Sequence, residues 1–329
     1  MRSKEVPKNK LPTFWVVLLK VVLPLWVLIA VLTPFMSGGK LHEMLQAQWV
    51  DFSIIPIWVL PIILLLSFVN YGLEAQKWKL SLAKLEPINL KKALQSVYKG
   101  CAMSQVFPWR TGDFLGKISV LPLQKKAQGV FLSAMNSFAQ LLITLLIGMA
   151  GLACIQSKNY TLKTHEYDEF VFIMALIGCS FLVLFLFFLG KRSWQKVFVW
   201  VGPKYRKYIY ESRWLSNRAV WQLVGLSALR YLSFVIPYLI LLLPFTEVQE
   251  WLSLSAGLSL VFLLQSLLPG FILTDLPVRG FLHSSILVPI IGLYTPVGNA
   301  VFIIFVANQI IPALLGFYFM LKTPVQTQI

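Results

Sequence analysis

An all-α polytopic membrane protein, with about six spanning helices and two re-entrant broken hairpins in an inverted repeat, is the fold class that this sequence predicts. Three observations carry that expectation. The 329 residues are 57% hydrophobic and only 13% charged, with a mean hydropathy of +0.73, outside the usual range of soluble globular proteins. The longest polar interval, residues 191–218, is too short to bury a core of its own, so no soluble catalytic module is expected. Two further apolar regions are interrupted by Pro, Gly and charged residues. A charge at the bilayer centre costs at least roughly 2.5–3.5 kcal/mol, so such residues face a cavity or a partner.

Six apolar runs reach a spanning length at about 1.5 Å per residue: 11–35, 52–71, 129–155, 170–190, 219–243 and 298–321. The first is too long for the apolar core of a signal peptide and no small-x-small site precedes Gly38, so a retained span is expected. The connecting loops sort by charge. Residues 1–10 carry four Lys/Arg, residues 72–92 carry Lys77, Lys79, Lys84, Lys91 and Lys92, and residues 191–218 carry eight. The loops 36–51, 156–169 and 244–252 are acidic or balanced. Basic loops belong to the cytoplasm, which places both termini inside. The formal net charge of +16 therefore reflects membrane orientation, and nucleic-acid binding is not expected.

Residues 93–122 leave from and return to basic loops, and residues 253–294 leave from the acidic Glu247/Glu250 loop. Each divides into apolar pieces of roughly 9–15 residues around a break, a length suited to half-helices. The first break is Phe107-Pro108-Trp109 to Gly112-Asp113; the second runs from Pro269-Gly270 to Asp275-Leu276-Pro277-Val278-Arg279-Gly280. Hairpins entering from opposite sides would make residues 219–321 an inverted copy of 52–155, with 1–51 as a leading span and loop and 156–218 as the link. That is the plan of many transporters, whose sites lie where the breaks meet. The competing reading makes 253–294 two full spans, with Asp275 and Arg279 in a short loop.

Of the 13 acidic residues, Asp113 and Asp275 lie in the breaks, together with Arg110, Lys117 and Arg279. Arg230 falls about 18 Å into the span that starts near Ala219, close to mid-bilayer. It could lock onto Asp275, or grip an anionic headgroup bidentately as guanidinium grips phosphate. Ser133, Asn136, Ser137, Gln140 and Thr144 recur at helical spacing as one polar stripe, with Asn299, Asn308 and Gln309 as a sparser counterpart. Such stripes serve as interhelical glue or line a cavity. Aromatic residues alternate with Lys and Arg across 191–218, as expected of a segment lying on an anionic leaflet.

Catalytic and cofactor patterns are absent from the sequence. His42 and His165 fall in predicted external loops and His283 stands alone in the second hairpin. Cys101, Cys154 and Cys179 are scattered without metal spacing.

The run Phe107-Pro108-x-Arg110-x-Gly112-Asp113, with Gly116-Lys117 after it and a span ending in Lys77-Trp78 before it, resembles the transmembrane-region family of lysylphosphatidylglycerol synthases. The resemblance covers roughly residues 60–320. Asp113 stands where that family usually has glutamate, and Gly116-Lys117 where it has arginine. Pro269-Gly270 and Asp275 to Gly280 resemble its glycine-rich second motif only loosely. The family includes lipid flippases, and the resemblance implies a domain that moves an anionic or headgroup-modified lipid between leaflets. It does not imply aminoacyl transfer, which in that family belongs to a separate soluble domain.

The expectation is therefore a bacterial-type inner-membrane lipid translocase without enzyme activity, cofactor or metal. Arg110, Lys117, Arg230 and Arg279 would neutralise phosphate; Asp113 and Asp275 would hold those bases and could take protons. The competing class is a non-transporting subunit docked on a glycosyltransferase or lipid-synthesis enzyme through 191–218, and a homo-oligomer stays open.

Overall fold

In the computed structural model, residues 51–106, 111–157, 178, 216–267 and 272–322 are described. Every regular element among them is helical and none is a strand. We number the helices α1 (Val59–Leu82), α2 (Leu90–Val106), α3 (Gly112–Ile118), α4 (Lys126–Ser157), α5 (Asn217–Leu242), α6 (Trp251–Leu267), α7 (Ile272–Ile291), α8 (Tyr294–Phe305) and α9 (Ile311–Lys322). A π-helical turn, Val306–Ile310, joins α8 to α9.

Five segments are long and apolar enough to cross a membrane: Val59–Leu82, Leu123–Ile155, Arg218–Phe245, Val248–Ser266 and Tyr294–Lys322. The chain is thus a multi-pass membrane protein. Three of these segments contain the expected spans at 129–155, 219–243 and 298–321, and Val59–Leu82 overlaps the fourth, 52–71, from residue 59 onward. The expected spans 11–35 and 170–190 lie outside the described residues, as does nearly all of the basic segment 191–218.

Three boundaries differ from the sequence reading. The first span does not stop near residue 71 but continues to Leu82, because nothing between Tyr71 and Leu82 breaks a helix, and Lys77 and Glu74 find partners inside the bundle. The second break does not reach Gly280, since Asp275 to Gly280 is helical. Pro277 stands near the start of α7, where a missing N–H removes a single early hydrogen bond. Finally, α6 and α7 have 17 and 20 residues, longer than the expected half-helices, and α6 belongs to a segment of spanning length. The first region keeps its short limb, as α3 has 7 residues and rises only about 10 Å.

Packing follows a reciprocal scheme. α1 lies against α5, α2 against α9, and α4 against α6, while α3 folds back on α2. Large apolar side chains such as Leu65, Leu229 and Leu314 point outward, whereas Lys77, Glu74 and Lys117 are buried. Polar groups lie inside and hydrocarbon outside.

Without a strong hydrophobic force between helices in lipid, close backbone approach has to supply the packing energy. Glycine permits it at two joints. A Cβ at Gly116 would sit 2.1 Å from the Gly100 nitrogen, so α3 meets α2 backbone to backbone. One at Gly316 would sit 2.0 Å from the Tyr98 carbonyl oxygen, so α9 meets α2 in the same way.

The π turn has a local cause. The Ile311 N–H reaches back to the Val306 carbonyl, and Pro312 has no N–H to offer, so the carbonyls of Ala307 and Asn308 lack helical donors. Ser67 Oγ donates to the first at 2.7 Å and Tyr71 Oη donates to the second. Those residues are one turn apart on α1, matching consecutive carbonyls.

Before α1, Asp51 caps a short 3-10 turn. Its bonds from the Ser53 hydroxyl and backbone N–H hold its carboxyl below the usual range. The Asn299 amide clamps the Asp51 backbone from both sides, donating to its carbonyl at 2.6 Å and accepting from its N–H at 2.9 Å.

Replacing Gly116 by Ala should lower the melting temperature of the detergent-solubilised protein by an amount corresponding to about 1–3 kcal/mol of overpacking. Gly72→Ala, where an added Cβ meets nothing within 4 Å, should leave it within error. Equal melting of the two variants would refute the backbone contact.

Candidate functional site

The later turns of α1 carry four polar residues, Asn70, Glu74, Lys77 and Ser81, into the bundle at spacings of four, three and four. That spacing sets them on one face of the helix. Lys77 is 0% exposed and Glu74 4%, which hydrocarbon burial forbids unless partners are supplied.

Glu74 meets three cations from three different helices. Its Oε1 is 2.6 Å from Lys117 Nζ on α3; its Oε2 is 2.9 Å from Arg230 Nη1 on α5 and 3.4 Å from Lys77 Nζ on its own helix. Lys117 is shared, with Nζ also 2.6 Å from Asp113 Oδ2. Lys77 donates to the Asn136 carbonyl at 3.1 Å, and the Asn136 side chain accepts from Ser81 at 2.8 Å. Arg230 is held further by Nε donation to Asn70 Oδ1 at 2.9 Å and by the Phe234 ring, 5.4 Å below its guanidinium carbon.

A second unit faces the first. Arg279 Nε lies 3.0 Å from Asp275 Oδ2, one turn apart on α7. Gln309, in the π turn, closes it from the opposite side: its amide donates to Asp275 Oδ2 at 2.6 Å, and its Oε1 accepts from Arg279 Nη2 at 3.2 Å. π turns inside helices recur at functional sites because they redirect side chains that a regular helix would aim elsewhere.

Both units line one cavity of about 400 Å³. Of the six residues singled out from the sequence, Asp113, Lys117, Arg230, Asp275 and Arg279 border it. Arg110 lies outside the described residues. Arg230 finds its carboxylate in Glu74, while Asp275 is joined to Arg279 and Gln309. The polar stripe on α4 divides its labour: Asn136 ties α4 to α1, whereas Ser137 and Gln140 border the cavity. In the last span, Asn299 serves the Asp51 clamp, and Asn308 and Gln309 border the cavity.

Around Glu74 the balance is two acids (Glu74, Asp113) against three bases (Lys77, Lys117, Arg230), while Asp275 and Arg279 cancel. The cluster therefore holds one positive charge in excess. Arg230 and Arg279 are 17% and 18% exposed, and Arg279 is also hydrogen-bonded to the Tyr238 hydroxyl. The cavity thus offers guanidinium donors to an incoming anion. His283, buried and stacked on Tyr238 at 4.7 Å, donates from Nδ1 to the Arg279 carbonyl and braces α7. Among the described residues, no group of three His, Cys, Asp or Glu could hold a metal ion.

Sequence reasoning missed Glu74 and Lys77 by ending the first span at residue 71 and counting both as loop charges. The signal was present in the Asn70-Glu74-Lys77-Ser81 spacing. No protein-family model, curated protein or solved structure matches the chain.

Glu74→Gln removes the charge that three buried cations share and should cost about 3–5 kcal/mol, the usual penalty for breaking a buried pair. Glu86→Gln, at the half-exposed Lys125–Glu86 pair, should cost less than about 1 kcal/mol. Comparable thermal melting of the two variants in detergent would show that Glu74 is not the anchor.

Proposed function

We propose that this chain moves a phosphate-bearing lipid, either an anionic phospholipid or a polyprenyl-phosphate-linked lipid, between the leaflets of a bacterial inner membrane, with both termini cytoplasmic. The observation that carries this reading is the cavity itself: about 400 Å³ of space inside an apolar bundle, bordered by two partly exposed guanidinium groups. Buried charges in a membrane protein mark substrate or ion pathways, and guanidinium matches the fork geometry of phosphate.

The inverted-repeat plan is part of the proposal. Supporting it, the two regions interrupted by breaks carry the same pattern, an acid followed four residues later by a base: Asp113/Lys117 on α3 and Asp275/Arg279 on α7. The packing is reciprocal too, because the first limb of each region, α2 or α6, lies against the last span of the other half, α9 or α4. α1 and α5, the counterparts that open each half, pack on each other and are joined by the Glu74–Arg230 pair. The resemblance of the Pro108-x-Arg110-x-Gly112-Asp113 run to the lysylphosphatidylglycerol synthase transmembrane region points the same way. Arg110 is assigned to the site on sequence alone.

In this reading the lipid phosphate enters between Arg230 and Arg279 while its acyl chains stay in the bilayer. Asp113 and Asp275 hold the bases in place while the cavity is empty, and can accept protons as the phosphate displaces them. Lys117, clamped by two carboxylates and 2% exposed, orders the cavity wall more than it meets the headgroup.

The test is flipping of fluorescent phosphatidylglycerol in proteoliposomes, read by quenching of the outer leaflet. Arg230→Gln and Arg279→Gln should each slow it at least about tenfold, the scale of one charge-assisted contact. Arg110→Ala should abolish it while folded protein remains in the membrane. Wild-type rates in all three variants, or no flipping by the native chain, would remove the proposal.

A further inference from the structure

The two halves of the cavity are not in the same state, and the difference assigns a role to Gln140. On the α7 side, Gln309 grips its acid–base pair through both ends of the amide, donating to Asp275 and accepting from Arg279. On the α3 side the counterpart pair is Asp113 and Lys117, and the residue placed as Gln309 is placed is Gln140. Gln140 stands 14 residues after the start of α4, and Gln309 stands 15 after the start of α8. Both border the cavity, and α3 packs on α4 as the mirrored arrangement requires.

Yet Gln140 does not hold that pair. Among the described residues its buried Oε1 has no hydrogen-bond partner, and neither the oxygen nor the nitrogen of the Asn308 side chain, next to Gln309 in the π turn, has one. Lys117 is drawn instead to Glu74, and it engages Asp113 at Oδ2, with Asp113 29% exposed. A buried carbonyl oxygen left unpaired costs on the order of a hydrogen bond and calls for an explanation.

We propose that Gln140 is the positioning residue of a second conformation, in which its amide donates to Asp113 and accepts from Lys117, while Gln309 lets go of Asp275 and Arg279. The two glutamines act as alternating clamps, each closing one side of the cavity, and Glu74 with Arg230 stays fixed between them. The proposal rests on the transport reading, because clamps that alternate across a pseudo-twofold axis are what exchange of access between the two faces requires. It goes beyond that reading by naming the contact that forms and the contact that breaks. Binding energy then moves from one clamp to the other at little net cost, as a two-state element needs.

The experiment uses the full chain with Cys101, Cys154 and Cys179 replaced by Ala and a single cysteine at Ser104→Cys, which borders the cavity. A membrane-impermeant maleimide is added to either side of oriented vesicles, and the ratio of labelling from the two sides is read. Gln309→Ala should shift the ratio about tenfold toward the side less labelled in the parent, and Gln140→Ala should shift it the opposite way. The double variant should return near the parent ratio. Loss of a merely structural contact would move both variants alike. Parallel shifts, or no shift, overturn the proposal, and Ser137→Cys on α4 provides a second probe position that must agree. Phosphatidylglycerol flipping is measured in the same vesicles: opposed shifts without flipping uphold the clamps and discard the lipid, whereas flipping with parallel shifts discards the clamps and keeps the lipid.

Discussion

One carboxylate holds the centre of this protein together. Glu74 is surrounded by Lys77, Lys117 and Arg230, of which the last two border the cavity from different helices. Without Glu74, Lys117 would retain Asp113, but Arg230 and Lys77 would be left with neutral partners only. In a medium that solvates ions poorly, an uncompensated charge costs more than any single apolar contact returns. The positions of α1, α3 and α5 relative to one another are consequently set by charge neutralisation. Shape complementarity, through Gly116 and Gly316, then fixes how closely the remaining helices approach.

Backbone hydrogen bonding imposes the second constraint. The last span cannot be a regular α-helix through Pro312, and hydrocarbon offers no water to satisfy the carbonyls that the proline and the π turn release. Ser67 and Tyr71 satisfy them from α1, the same helix that supplies Glu74. The irregular turn turns Gln309 toward the Asp275–Arg279 pair, so a local backbone defect and the cavity's second charged unit have a common origin. α1 thereby stabilises both halves of the site, one by ion pairing and one by donating hydroxyl groups to stranded carbonyls.

Much of this was legible in the sequence, for definite reasons. Spans were readable because uninterrupted apolar length is a strong signal, and Asp113, Lys117, Asp275 and Arg279 stood out because ions are rare beside Pro and Gly in such surroundings. With Arg230 they border one cavity. Two things were hidden. A charge inside a long helix looks the same in sequence as a charge in the loop after a short one, so Glu74 and Lys77 were read as cytoplasmic. Only their period with Asn70 and Ser81 distinguishes the cases. The extent of the second break was hidden as well, since Pro277 reads as a helix breaker unless the position of the helix start is known. The π turn has no sequence signature beyond Pro312 and depends on a partner helix that pattern reading does not place.

Charge bookkeeping also bears on how a phosphate could enter without unfolding the site. A bare pair of arginines in hydrocarbon would repel and would bind any anion too tightly to release it. Here Arg230 and Arg279 each arrive already neutralised, by Glu74 and Asp275, and each keeps part of its guanidinium out of that pair. In the transport reading proposed above, an incoming phosphate would compete with a carboxylate instead of filling a void of positive charge, which would weaken binding toward a reversible range. The formal excess of one positive charge, with Lys77 standing behind Glu74, would tilt that competition toward the anion. Lys77 is itself fixed by the Asn136 carbonyl, so its position behind Glu74 is set by the scaffold.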